Sequence, residues 1–107
     1  MSSFVHISST IDSREQAEKI ALELLEKQQV ACVQVSGPIT SRYRWKGEIV
    51  TREEWTLCAK AREEDFMWIE QTIQDLHPYE VPEIVAIPIK IINENHRQWL
   101  ILETARD

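Results

Sequence analysis

VACVQVSGPITSRYRWKGEIVTREEWTLCAKAR, residues Val30 to Arg62, is the stretch whose reading decides the fold. Two strand-like arms meet at Tyr43-Arg44-Trp45-Lys46-Gly47-Glu48. Each arm is about three times the usual strand length of roughly 5–6 residues. In the first arm Ala31, Val33 and Val35 alternate with Cys32, Gln34 and Ser36 as far as Gly37-Pro38. Beyond that pair Ile39, Ser41, Tyr43 and Trp45 share one face, and Thr40, Arg42, Arg44 and Lys46 the other. The return arm sets Trp55, Leu57, Ala59 and Ala61 against Glu54, Thr56, Cys58, Lys60 and Arg62, the period-2 pattern of a strand. If Lys46-Gly47 is a two-residue turn, Trp45 pairs with Glu48, and Val35 shares a face with Leu57 only when one residue is bulged out. Gly37-Pro38 suits the bulge, because proline cannot donate to the ladder and glycine tolerates unusual dihedrals. A three-residue turn through Lys46-Gly47-Glu48 removes the mismatch too, but leaves the Gly-Pro pair without a role. Arms this long overhang any sheet that 107 residues can build. The overhang predicts an oligomer, with Ile39, Arg42, Arg44 and Trp55 as candidate interface residues.

The flanking segments supply the rest of the sheet and its cover. Phe4 to Ser9 alternates as a first strand. Asp12, with Glu15 three residues on, resembles a capping box. Ala17, Ile20, Ala21, Leu24 and Leu25 then repeat at helical spacing, which predicts an amphipathic helix. After the hairpin, Glu63-Glu64-Asp65 complements the positive end of a second helix, with Phe66, Ile69, Ile73 and Leu76 as its buried stripe. That helix should stop at His77, since a residue before proline is disfavoured in the helical region. Ile84 to Ile92 is apolar apart from Lys90, as in a strand covered on both faces, although Pro88 demotes it to an edge or to a strand bonded on only one side there. Asn93 or Asn95 caps a last short helix containing Trp99, Leu100 and Leu102, and the final four residues are expected to fray. The order β-α-β-β-α-β plus a C-terminal helix predicts a ferredoxin-like α+β sandwich as a single domain over residues 1–107.

Composition narrows the function. Twelve Lys and Arg against eighteen Asp and Glu leave a net charge of -6. That argues against nucleic acid, whose binding depends on neutralising phosphates. No apolar run approaches the ~20 residues of a membrane span, and the first ten residues lack a secretory signal pattern, so the sequence is read as cytoplasmic. Cys32 and Cys58 fall diagonally on the two hairpin arms and are read as reduced thiols.

The densest cluster of chemistry-bearing residues is His77-Pro78-Tyr79-Glu80-Val81-Pro82-Glu83. Two prolines hold an imidazole, a phenol and carboxylates on a stiff backbone, which lowers the entropy cost of presenting them to a ligand. Imidazole with carboxylate suits zinc, copper or nickel, yet the spacing matches no closed metal site, and the prolines serve a helix stop equally well. Cys32 is a soft-metal candidate or a small buried hydrophobe. His6 is read as a packed or surface imidazole. Arg42 and Arg44 could hold an anion or form intersubunit ion pairs. No nucleophile, base and orienting group occur together, so no enzymatic activity is expected.

Ala31-Cys32-Val33, Tyr43-x-Trp45-x-Gly47-Glu48, His77-Pro78-Tyr79-Glu80-Val81-Pro82-Glu83-Ile84 and Trp99 together resemble the CutA family of divalent-cation tolerance proteins. The resemblance covers nearly the whole chain. It implies a ferredoxin-like homotrimer in which the long hairpins pair with neighbours, linked to tolerance of copper and other divalent ions. Pocket positions carried over are Tyr43, Trp45, His77, Tyr79 and Glu83. Where some relatives carry a metal-binding Cys and His, this chain has Ser9 and Leu76. The expected ligands of a divalent ion, copper or zinc, are therefore His77 and Glu83 with Cys32 or Glu80. The alternatives are a trimeric signalling module that binds a small molecule in intersubunit clefts, and a protein scaffold.

Overall fold

The computed structural model describes residues 3–105. The elements run β1 (Phe4–Ile11), α1 (Arg14–Glu26), β2 (Cys32–Trp45), β3 (Glu48–Arg62), a 3-10 turn (Glu63–Asp65), α2 (Phe66–Leu76), β4 (Val85–Pro88) and α3 (Glu94–Glu103). The strands form one antiparallel sheet in the order β2-β3-β1-β4, the ferredoxin-like arrangement that the element order predicts. Val5, Ile7 and Ile11 of β1 and Leu57, Ala59 and Ala61 of β3 point to one face. There they meet Ala17, Ile20, Ala21 and Leu24 of α1 and Ile69 and Ile73 of α2. Each buried Ile or Leu contributes about 1.5–3 kcal/mol by leaving water, so this layer holds the helices to the sheet.

The hairpin closes through a two-residue turn, with Trp45 opposite Glu48. Lys46 and Gly47 both have positive φ, 51° and 81°, as a turn matching the right-handed strand twist requires. Val35 pairs with Leu57, and the register shifts by one residue between Ser36 and Ile39, so Gly37-Pro38 is the bulge. Gly37 has φ +145°, and a Cβ there would sit 2.8 Å from Trp55 Cδ1 and 3.0 Å from the Glu54 carbonyl oxygen. Only β3 residues Trp55 to Arg62 also pair with β1. The ribbon beyond them extends the molecule to 44 Å along its longest axis. The radius of gyration, 14.5 Å, accordingly exceeds the ~13 Å of a compact chain this long.

Several details differ from the sequence reading. The cap of α1 is Ser13, whose side chain accepts from the Gln16 N–H at 3.2 Å, not Asp12. Asp12 instead points toward Arg52, 3.6 Å away. Leu25 and Leu76, assigned to buried stripes, are each 38% exposed, because each stands at the margin of its helix's apolar face. The run Ile84 to Ile92 yields only four strand residues, and it is not covered on both faces within one chain. It forms an edge with Val85, Ile87 and Ile91 exposed, as the missing N–H of Pro88 requires. Thr104, expected to fray, is buried and accepts a 2.8 Å hydrogen bond from Arg62 Nε, while Arg62 also donates to the Ile101 carbonyl. A cation at the last carbonyls complements the helix dipole and pins α3 to the end of β3. Arg106 and Asp107 lie outside the described residues.

Two substitutions check this packing by denaturant unfolding. Gly37→Ala must move Trp55 or the backbone at an unfavourable φ and is expected to lose about 1–3 kcal/mol. The Ser9 hydroxyl is buried with no hydrogen-bond partner among the described residues. Ser9→Ala is therefore expected to be neutral or to gain up to ~1 kcal/mol.

Candidate functional site

The bulge sets which residues meet beyond it. Before it, Val33 and Val35 pack toward the helices. After it, Ile39 stands opposite Glu54, Ser41 opposite Arg52, Tyr43 opposite Val50 and Trp45 opposite Glu48. These pairs carry on the face of Thr56, away from α1 and α2. The loop after α2 comes to the same place from the other side. His77 ends the helix with an extended backbone. Its Nε2 donates to the Thr10 carbonyl at 2.8 Å, while its Nδ1 accepts from the Tyr79 N–H at 3.2 Å. That pairing fixes one tautomer of a buried imidazole and delivers Tyr79 edge-on to it, with ring centroids 4.6 Å apart.

The Tyr79 hydroxyl donates to Glu54 Oε2 at 2.7 Å, joining the loop to the hairpin. Glu54 is only 3% exposed, so this bond supplies a partner that a buried carboxylate needs. The guanidinium of Arg52 lies 4.8 Å over the Tyr79 ring and reaches Asp12 on its other side. Burial raises the pKa of the Tyr79 phenol, and the Glu54 hydrogen bond raises it further because a phenolate would face a carboxylate. Arg52 pulls the other way and is the smaller effect.

Together the hairpin and loop enclose a cleft of about 710 Å³. Tyr43, Trp45 and Tyr79 give it aromatic walls, Arg52 brings a cation, and Asp12, Glu54, Glu80 and Glu83 bring carboxylates. Glu80 and Glu83 are exposed. His77 supports the cleft from behind rather than lining it. Cys32 is not part of it. It stands opposite Lys60, whereas Thr10 stands opposite Thr56, four residues further along β3 and roughly 13 Å away at the usual strand rise. Among the described residues no group of three or more His, Cys, Asp or Glu side chains converges as a metal centre would. Of the interface candidates, Arg42 and Arg44 are exposed, Ile39 is at the cleft end of the bulge, and Trp55 is half-buried against Gly37.

Sequence reasoning missed Glu54, Arg52 and Asp12. Glu54 was legible only as an acidic residue in an otherwise strand-forming segment, and its partner lies 25 residues away. Arg52 and Asp12 carried no local signal.

The model of the CutA1 divalent ion tolerance proteins matches residues 5–103. The divalent-cation tolerance protein CutA of Thermus thermophilus is 42% identical over 85% of this chain and 88% of its own. The crystal structure of the divalent ion tolerance protein CutA1 from Ehrlichia chaffeensis superposes with a TM-score of 0.92 at 30% identity, covering 99% of each chain. The structure of a protein described as the periplasmic divalent cation tolerance protein CutA from Archaeoglobus fulgidus superposes with a TM-score of 0.89 at 35% identity, covering 98% of this chain and 100% of its own.

The Tyr79–Glu54 contact makes a prediction with a definite sign. A phenol whose folded pKa is raised stabilises the fold fully below its unfolded value of ~10, and that contribution is lost as pH rises through the folded value. Stability should therefore fall above pH ~10, and ultraviolet titration should show one of the two tyrosines ionising late. Tyr79→Phe should abolish the late titration and cost about 1–3 kcal/mol at neutral pH by leaving Glu54 without that donor.

Proposed function

The chain belongs to the CutA1 divalent ion tolerance family, and on that premise we propose that it works as a non-enzymatic cytoplasmic homotrimer that binds divalent cations at its clefts. The observation that carries the assembly is the hairpin. Among the described residues Ile39–Trp45 and Glu48–Glu54 pair only with each other, which leaves long backbone edges and the exposed Ile49 ready to pair with another chain. The exposed apolar residues of β4 and of α3, among them Ile87 and Trp99, give a second copy further surface to cover. The two unbridged cysteines suit a reducing compartment.

The donors at the cleft decide which ions suit it. Glu80 and Glu83 offer carboxylate oxygen, fitting a hard divalent cation whose remaining positions are filled by water or by a neighbouring subunit. Copper favours imidazole and thiolate. His77 can join the set only by giving up one of its two hydrogen bonds, and Cys32 lies elsewhere. When bound, the ion would be held by Glu80 and Glu83 and would supply positive charge to the cleft. A second reading, a small molecule in the same cleft, is favoured by its volume and aromatic walls, which are those of an ordinary ligand pocket. Stabilisation by a metabolite in the presence of chelator would select that reading.

Sedimentation at micromolar concentration should give three times the 12.6 kDa chain mass; a fully folded monomer would contradict the trimer. Calorimetric titration with manganese should give heat that Glu80→Gln with Glu83→Gln removes, and copper heat should depend on His77. Unchanged heats in those variants would remove the cleft as the cation site.

A further inference from the structure

The sheet face opposite α1 and α2 carries a second group of donors, beginning one row beyond the cleft-lining Thr10. Cross-strand pairs share a face. His6 of β1 stands opposite Lys60 of β3, which stands opposite Cys32 of β2, and in the next row Ser8 stands opposite Cys58, which stands opposite Gln34. All six side chains therefore project to the side away from the helical layer. Within the group the Cys58 Sγ lies 3.3 Å from His6 Nδ1, and Lys60 Nζ lies 3.9 Å from Cys32 Sγ. His6, Cys32 and Cys58 are each half-buried.

The first distance is informative. A tetrahedral zinc ion, with Zn–S ~2.3 Å and Zn–N ~2.0 Å, holds its sulfur and nitrogen about 3.5 Å apart. The Cys58–His6 pair is thus already near the bite of such an ion. The contact also leaves the Nδ1 lone pair directed at the sulfur when the thiol is protonated. Cys32 is the diagonal neighbour of Cys58, at a separation of roughly 7–8 Å between backbones that two cysteine side chains can close over one ion. Burial holds the Cys58 thiol pKa above its ordinary value, with Lys60 opposing the shift and Cys32 adding to it.

We propose that a thiophilic divalent cation of the zinc type draws His6, Cys58 and Cys32, which do not converge as a metal centre in the metal-free chain, into one site, separate from the cleft and independent of the reading given to Glu80, Glu83 and His77. Cys58 and His6 supply the preset pair, Cys32 turns from Lys60 to supply the third donor, and solvent takes the fourth position. Both thiols release their protons to water as the two metal–sulfur bonds form, and the imidazole donates its neutral nitrogen. Two thiolates balance the charge of the ion. Lys60 Nζ, 3.9 Å from Cys32 Sγ, places a positive charge beside the two sulfurs.

Cobalt(II) is a spectroscopic substitute for zinc at such a site. Reduced, metal-free protein titrated with cobalt should develop thiolate-to-metal absorption that saturates at one ion per chain and disappears on adding zinc. Cys58→Ser and His6→Gln should each weaken binding at least ~10-fold, the lower end of what losing even an outer partner of a ligand costs. Cys32→Ser should keep some thiolate absorption at lower intensity. Glu83→Gln and His77→Gln should leave the spectrum unchanged. Absence of the thiolate band in the unsubstituted protein would overturn the proposal, as would a Cys58→Ser protein with the same band or a band lost in Glu83→Gln. Because the first of these uses no variant, misfolding of a mutant cannot mask the outcome.

Discussion

One surplus residue in β2, at Gly37-Pro38, decides what the outer half of the hairpin faces. Side chains alternate along a strand, so adding one residue to one arm transfers every later side chain to the other face. Val33 and Val35 pack into the helical layer. Ile39, Ser41, Tyr43 and Trp45, which would continue that series, stand instead with Glu54, Arg52 and Val50 on the opposite side. Without the bulge the cleft would lose its hairpin wall. The bulge in turn depends on glycine, since a Cβ at position 37 would collide with Trp55 and with the Glu54 backbone.

A second link carries that geometry to the loop. His77 reads the end of β1 through the Thr10 carbonyl and holds Tyr79 by its backbone, and Tyr79 reaches Glu54 across the cleft. The loop is thereby tied to the first strand and to the hairpin by hydrogen bonds of 2.8 and 2.7 Å. The pocket is lined at its mouth by the exposed carboxylates of Glu80 and Glu83. In this arrangement the most conspicuous imidazole of the sequence is a positioning residue, with both nitrogens already engaged.

The parts of the fold that were legible in the sequence rest on local chemistry. Lys46-Gly47 announced a tight turn, Gly37-Pro38 a bulge, and His77-Pro78 a helix stop, because each restricts the dihedrals of its own few residues. What was not legible depends on distance along the chain or on company. Asp12 and Ser13 are both good caps, and only the structure shows that Asp12 turns to Arg52. The apolar run around β4 looked like a strand with two covered faces, yet within one chain Ile87 and Ile91 are exposed; a neighbouring subunit is what would make the original pattern sensible. The Glu54–Tyr79 and His6–Cys58 contacts span 25 and 52 residues, and periodicity within one segment carries no information about either.

The account stands or falls on the use of the hairpin overhang. Hydrogen exchange resolved to single amides tests it most directly, since the outward-facing amides of Ile39–Trp45 have no acceptor in the sheet among the described residues. The account predicts that at concentrations where the protein is assembled these amides exchange as slowly as those paired between β1 and β3. Rapid exchange of the same amides in a fully assembled protein would show that the hairpin edges do not pair with a neighbour, and would contradict it.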